Sequence, residues 1–205
     1  MQTKNKRMTL SMIIVFLAII IDQIIKFAVK LSMFKHESIR IFDWFYIYFT
    51  ENKGMAFGME LFDKLFLTTF RMVAVAFIIY YLVKIAKNIK FPTGYIVCIA
   101  FVLAGAIGNL IDSMIYGEIF TDSDGRIAEL VAWGSGYGEF LHGQVVDMFY
   151  FPLFSFDWPE WLPIIGGEHF IFFSPIFNFA DACVSCGMIA ILLFYGKYLN
   201  MNFKN

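Results

Sequence analysis

Two aspartates lie in strongly apolar sequence, and they are the first candidates for chemistry in this chain. Asp147 directly follows two valines, and Asp181 lies in the apolar run from Phe177 to Ala182. Removing a carboxylate from water costs several kcal/mol unless it is paired, hydrated or protonated. A single aspartate of this kind would suggest a helix cap or a bond to a backbone amide. Two of them, on separate segments that can converge, predict an acid/base pair.

The composition indicates a protein that lies in lipid. Of its 205 residues, 60% are hydrophobic and only 16% are charged, whereas soluble domains have about a quarter charged residues. The formal net charge of −1 argues against nucleic acid as a partner, because binding it needs a basic surface. The cysteines Cys98, Cys183 and Cys186 lie in apolar segments, so we expect no disulfide framework. We interpret the Cys-x-x-Cys pair as packing residues and predict no metal site.

Four segments are long and apolar enough to span a bilayer, which takes about 20 residues. They run over about 8–31, 65–85, 95–116 and 177–198. The first follows basic residues as a signal peptide does, but it lacks an A-x-A-like cleavage site, so we interpret it as a retained helix. The sequence thus predicts an all-α membrane protein, a single domain over 1–205 with four transmembrane helices.

Basic residues predict the orientation of these helices. They precede the first helix, fill the short second connection and follow the last helix, whereas the long third connection contains only Arg126. By the positive-inside rule both termini are cytoplasmic, and the regions 32–64 and 117–175 are extracytoplasmic. Lys35, Arg40 and Lys53 in the first connection oppose this assignment, but four helices with both termini inside keep it consistent.

The two outer connections have the composition of ordered segments. Ile39 to Thr50 is rich in aromatic and β-branched residues, which favours a strand near the lipid headgroups. A glycine-punctuated turn from Asn52 to Gly58 follows. The third connection carries Trp133, Trp158 and Trp161, and loops of its length are usually functional or disordered. Its aromatic content favours a surface-lying, partly ordered structure.

Further polar residues are predicted at the same depth as the two aspartates. They are Asp22 and Lys26 on the first helix, Asn109 and Asp112 on the third, and Asn178 at the start of the fourth. Each set has a spacing of three or four, so its members share a helix face. A helix N-terminus also stabilises an anion such as Asp181. Because scattered caps would not concentrate at one depth, we expect a common site near the outer face of the membrane.

The order and spacing of these residues closely resemble those of lipoprotein signal peptidase, also called signal peptidase II. The resemblance covers about 21–186 and rests on five short motifs in family order. They are Asp22-Gln-Ile-Ile-Lys26, Asn52-Lys-Gly-Met-Ala-Phe-Gly58, Gly105-Ala-Ile-Gly-Asn109-Leu-Ile-Asp112, Val145-Val-Asp147 and Phe177-Asn-Phe-Ala-Asp181. Any one motif is weak evidence, whereas five in order are specific.

The resemblance implies a fold, a reaction and a set of partners. It implies a small extracytoplasmic β-cradle above the four helices, in the bacterial cytoplasmic (inner) membrane. It implies an aspartic endopeptidase without a cofactor, in which Asp147 and Asp181 form the catalytic dyad. The implied substrates are prolipoproteins that carry diacylglycerol on a cysteine and are cut just before it. Globomycin-type cyclic peptides are the implied inhibitors, and we expect a monomer in contact with membrane lipid.

The other polar residues of the motifs are candidates for binding substrate, because an extended substrate backbone needs hydrogen-bonding partners where water is scarce. They are Asp22, Lys26, Asn52, Gly54, Asn109, Asp112 and Asn178.

A paired dyad predicts its own chemistry. Two carboxylates about 3 Å apart cannot easily both ionise, so they share a proton. The ionised one draws a proton from a water that attacks the scissile carbonyl, and the protonated one donates to the carbonyl oxygen or the leaving amine. Neither a metal nor a covalent intermediate is required. The sequence leaves open which aspartate is the base.

The chain departs from the family pattern in two places. The family commonly has arginine directly after the aspartate of its third motif, where this chain has Ser113. The role of that arginine must be absent or supplied by Arg126 or Arg71. The segments 118–144 and 152–175 are also longer than usual for the family, and near the site they could alter substrate access.

Two other function classes stay open at this level. Intramembrane Asp, Lys and Asn can form a proton or ion path in a small transporter, and polar residues can also simply join helices in a membrane scaffold. The clustering of the carboxylates at one depth argues against a path across the bilayer. Other protease classes fit poorly, because the chain contains no H-E-x-x-H motif and Ser135 lies in a polar loop.

Overall fold

Four helices form the body of the protein in the computed structural model, which describes residues 2–52 and 64–201. They are α1 (Gln2–Lys30), α2 (Lys64–Ala86), α3 (Thr93–Ile119) and α4 (Phe179–Ala190), and α4 continues through a π-helical turn (Ile191–Tyr195) and a 3-10 turn (Gly196–Tyr198). Within these described ranges, four helices are long and apolar enough to cross a membrane. The predicted fold class is confirmed.

The start of the fourth helix differs from the prediction. The helix begins at Phe179 rather than at Phe177, because Ile176 and Phe177 pair with a strand and Asn178 caps the helix. The apolar segment that begins at Ile176 is therefore part strand and part helix. Hydrophobicity alone does not show where a short strand ends and a helix begins.

α3 is the central helix of the bundle. It packs against α1, α2 and α4, and 56% of its most apolar stretch is buried, compared with 17–22% in the other three. Two glycines permit this approach. A Cβ on Gly105 would lie 2.2 Å from the carbonyl oxygen of Ala180, and one on Gly108 would lie 2.6 Å from Asp22 Oδ2. Small residues of this kind allow membrane helices to approach closely.

Six strands form two antiparallel sheets in the described part of the chain. They are β1 (Ser38–Phe42), β2 (Phe45–Asn52), β3 (Val145–Tyr150), β4 (Phe154–Asp157), β5 (His169–Phe172) and β6 (Ile176–Phe177). The larger sheet has the order β1-β2-β3-β6, and β4 pairs only with β5.

The segment Ile39 to Thr50, predicted as one strand, is a hairpin. Asp43 and Trp44 connect β1 to β2, and Phe42 pairs with Phe45. Aspartate is a frequent turn residue because its short side chain bonds to nearby backbone. Aromatic residues occur in both strands and also at the turn between them, so the composition of the segment did not indicate where the turn lies. The predicted turn after Asn52 lies outside the described residues.

The segment 118–144 is folded back along the end of α3. Backbone amides of Gly138 and Gly143 donate to the carbonyl oxygens of Gly117 and Ser113, at 2.9 Å each. Gly143 tolerates no side chain, because a Cβ there would lie 2.0 Å from the carbonyl oxygen of Asp112. This close contact brings the chain directly into β3, the strand that carries Asp147.

Candidate active site

Asp147 is the third residue of β3 and points into the protein. It lies between the fully buried Val146 and Met148 and is itself 4% exposed. Asn178 Nδ2 donates to Asp147 Oδ1 at 2.6 Å. Burial, followed by the charge of Asp181, raises the pKa of Asp147 to about 7. A carboxyl group in this state can hold a proton near neutral pH, as a general acid must.

Asp181 lies in the first turn of α4, where a capping box fixes it. Asn178 Oδ1 accepts from the Asp181 amide at 2.9 Å, and the Asn178 amide donates to Asp181 Oδ2 at 3.3 Å. Asn109 Nδ2, from α3, donates to Asp181 Oδ1 at 2.7 Å. Both carboxylate oxygens of Asp181 are therefore held by donors at the N-terminus of α4.

Asn178 joins the two aspartates. Its side-chain amide nitrogen donates to Asp147 Oδ1, and also to Asn109 Oδ1 at 3.1 Å. Its side-chain oxygen caps the helix that carries Asp181. The structure thus brings β3, α3 and the start of α4 together around two carboxylates whose environments differ.

Lys26 lies beneath this pair in a buried ionic cluster. Its ammonium group lies 2.9 Å from Asp22 Oδ2 and 2.7 Å from Asp112 Oδ2, and it donates to Asn109 Oδ1 at 2.9 Å. Asp22 Oδ1 accepts from the Ala180 amide at 2.9 Å. The cluster therefore fastens α1 and α3 to the first turn of α4.

Burial changes the interpretation of three predicted substrate-binding residues. Asp22, Lys26 and Asp112 are at most 1% exposed, and their charged groups contact one another. Asp112 Oδ2 also accepts from the Val146 amide at 3.3 Å, which holds β3 against α3. This arrangement favours a role in positioning Asp147 and Asp181 over direct contact with substrate.

Gln23 was missed by the sequence interpretation. Its Nε2 donates to Asp22 Oδ2 at 3.1 Å and to Asp112 Oδ1 at 3.0 Å, and its Oε1 accepts from the Tyr116 hydroxyl at 3.0 Å. The available signal was its place beside Asp22 in an apolar helix, where an amide also needs partners.

A second buried ion pair holds the sheet on the helices. Lys30, at the end of α1, bonds to Glu51 of β2 and donates to Ser123 Oγ at 2.9 Å. Neither Lys30 nor Glu51 was predicted. Glu51 precedes Asn52, the last residue of β2, which pairs with Val145 of β3. Asn52 is thus two positions along the β3 register from Asp147, and Gly54 lies outside the residues that the structure describes.

Arg71 brings a positive charge to the site from α2. Its Nη1 donates to Ser113 Oγ at 2.6 Å, and that hydroxyl donates to the Asn109 carbonyl oxygen at 2.9 Å. Asp181 attracts the guanidinium most strongly, followed by Asp112 and Asp147. The other arginine named above, Arg126, instead bonds to the exposed backbone of its own loop.

The Cys-x-x-Cys pair lies apart from this chemistry. Cys183 packs with Ala18 and Ala104 in a small apolar cluster, and Cys186 is exposed on α4. The two thiols are free.

Comparisons with known proteins agree with the geometry. Residues 14–196 match the family model of signal peptidase II. A lipoprotein signal peptidase of Porphyromonas gingivalis is 47% identical over 92% of this chain and 83% of its own length. One from Amoebophilus asiaticus is 34% identical over 88% and 75%. A solved structure described as a bacterial membrane enzyme shares the fold, with a TM-score of 0.60 and 23% identity over 95% of each chain. The chain is therefore a bacterial membrane peptidase that belongs to the signal peptidase II family.

Proposed function

We propose that this protein cleaves diacylglyceryl-modified prolipoproteins just before the lipidated cysteine, with Asp147 and Asp181 as its catalytic dyad. The observation that carries the proposal is that both carboxylates accept hydrogen bonds from Asn178, Asp147 from its side-chain amide and Asp181 from its backbone amide. They lie at the end of the bundle where α1 and α3 finish and α4 begins, which suits a scissile bond near a membrane surface.

The surroundings of the two carboxylates support different roles for them. Asp181 accepts a hydrogen bond from the Asn109 side-chain amide, lies in the first turn of α4 and has the positive charge of Arg71 nearby. Asp147 is buried and has a pKa of about 7. Asp181 is then the base that takes a proton from water, and the water oxygen attacks the scissile carbonyl. Asp147 donates its proton to the leaving amine.

The remaining polar residues form two groups: a buried group that holds the two aspartates in place, and an exposed group at the edge of the site that can contact substrate. Asp22, Lys26 and Asp112 form the buried support that fixes both aspartates. Asn52 is exposed at the end of β2, where it can contact an extended substrate chain, and Gly54 stays a candidate for substrate binding by the family motif alone. Asn109 and Asn178 donate hydrogen bonds to the two carboxylates, so we assign them mainly to positioning the dyad.

Cleavage in a defined system tests this proposal. The purified protein, as a monomer in lipid, should release the signal peptide from a prolipoprotein that carries diacylglycerol on its cysteine. It should leave the unmodified precursor intact, and a globomycin-type peptide should stop the release. Proton flux into protein-containing vesicles without any peptide release would instead support the transporter alternative.

The orientation in the membrane is a separate expectation. We propose that both termini are cytoplasmic and that the dyad faces the outer side, because basic residues concentrate at the termini and in the second connection. A reporter that works only outside the cytoplasm should be active when inserted at Gly125, whose surroundings are open, and inactive at Lys87 or after Lys204. The reverse pattern would place the dyad on the wrong side for exported lipoproteins.

A further inference from the structure

The strands β4 and β5 form a ribbon with two chemically different faces. Phe154 pairs with Phe172, and Phe156 pairs with Phe170. Side chains of paired residues lie on one face of a sheet, and alternate residues along a strand share that face. The four phenylalanines therefore make up one face. The other face carries Ser155, Ile171 and the pair Asp157–His169, whose side chains lie 2.6 Å apart.

The aromatic face is ordered and yet open. The rings of Phe154 and Phe172 stack with centroids 4.7 Å apart, and those of Phe156 and Phe170 lie 5.1 Å apart. Phe154 is nevertheless 54% exposed and Phe172 is 44% exposed. A two-stranded hairpin is marginally stable in water on its own, and contiguous exposed apolar surface marks a site of interaction. Something apolar is needed to cover this face.

Short tethers hold the ribbon at the end of the membrane helices. β4 begins shortly after β3 ends at Tyr150, and β5 is followed by β6 and by the capping residue of α4. The base of the ribbon lies in a row of aromatic rings that continues to the β1–β2 turn. In that row Phe151 stacks on Phe45 and Phe177, with Phe173 and Trp44 at its two ends. In this row Trp44 has the amphipathic type of ring that is enriched at the level of the lipid headgroups.

The ribbon and its loop also lack the charges that would attract anionic partners. Residues 151–175 contain no lysine or arginine, whereas Asp157, Glu160 and Glu168 are acidic. The loop between the strands presents Trp161, 79% exposed, and Ile164, 97% exposed. Large apolar and aromatic side chains without basic residues suit the boundary between headgroups and acyl chains, where burial of apolar area and not charge provides the binding.

We propose that the β4–β5 ribbon lies flat in the lipid interface of the membrane leaflet on the dyad side, with its phenylalanine face toward the acyl chains. Its polar face, with Asp157 and His169, then faces water. The ribbon extends the membrane-contacting surface of the protein beyond the four helices, beside the start of α4. This inference depends only on the membrane fold and not on the proposed cleavage reaction.

Tryptophan fluorescence in lipid vesicles tests the proposal without measuring activity. The chain has four tryptophans, so Trp44→Phe with Trp133→Phe leaves only Trp158 and Trp161, both in the loop that joins β4 to β5. In phosphatidylcholine vesicles, we expect bromines on the upper acyl carbons to quench this emission several-fold more strongly than aqueous iodide does. The emission should be blue-shifted in the absence of any substrate.

A matched pair of variants tests which face contacts lipid. Phe156→Asp should increase the quenching of this emission by iodide and reduce its quenching by brominated lipid. Ser155→Asp, on the opposite face, should leave both kinds of quenching unchanged. Iodide quenching in the parent protein would overturn the proposal, because the ribbon would lie in water. Lipid quenching that appears only with lipidated substrate, or emission that changes with the protein-to-lipid ratio, would assign the face to a substrate chain or to a second copy.

Discussion

Asp147→Asn and Asp181→Asn should each abolish signal-peptide release while the protein still folds and inserts in membranes. Asparagine keeps the size and most hydrogen bonds of aspartate but cannot hold or exchange the shared proton. The loss should therefore be in kcat, with substrate binding nearly unchanged. Side chains that act as one unit give non-additive losses, so the double variant should be scarcely slower than either single variant. Single-turnover cleavage and binding of an inhibitor separate these quantities.

Asp124→Asn provides the matched control for the dyad variants. Asp124 is an exposed aspartate in the same connection, and its side chain lies 3.3 Å from Lys35. Its replacement should leave the cleavage rate unchanged, because exposed ion pairs contribute little. Near-normal cleavage by a pure, folded Asp147→Asn or Asp181→Asn protein would mean that the aspartyl mechanism is wrong.

Arg71→Met should lower cleavage most strongly at acid pH. The guanidinium is a positive charge near both carboxylates of the dyad, and such a charge favours the ionised form of a carboxylate pair, so without it the pair as a unit keeps its second proton to higher pH. A neighbouring charge changes such an equilibrium by about one pH unit or more, which corresponds to about tenfold in rate below the midpoint. The acid limb of the kcat/KM profile should move to higher pH. The alkaline limb, which lies near pH 7 and reports the loss of the Asp147 proton, should move in the same direction by less, because Asp147 attracts the guanidinium more weakly than Asp181 does.

Three further variants separate the charge of Arg71 from its packing. Arg71→Lys keeps the charge and should restore most of the acid limb, and Arg126→Met, which removes an arginine from the outer loop, should leave the whole profile unchanged. Ser113→Arg added to Arg71→Met should recover activity, because Ser113 Oγ lies 2.6 Å from the present guanidinium. A uniform loss at every pH, with no recovery by lysine, would show that Arg71 only packs between α2 and α3.

The sequence determined the helices and the chemical types at the site. Apolar runs of membrane length can be recognised locally, because a bilayer requires about 20 apolar residues whatever the neighbours are. The cost of a polar group in such a run made Asp22, Lys26, Asn109 and Asp112 recognisable for the same reason. The order of the motifs added the family, which the comparisons confirmed.

The contacts among these groups depend on how the helices and strands pack. Lys26 bonds to Asp112 and Asn109 because Gly108 lets α1 approach α3 closely. Arg71 reaches the site from α2, where it donates a hydrogen bond to Ser113 of α3. Helix spacing and strand register depend on contacts between residues far apart in sequence, and these contacts cannot be predicted from composition. The sequence therefore predicted two carboxylates at one depth, and only the packing gave them different surroundings, one buried in β3 and one beside a helix N-terminus and an arginine.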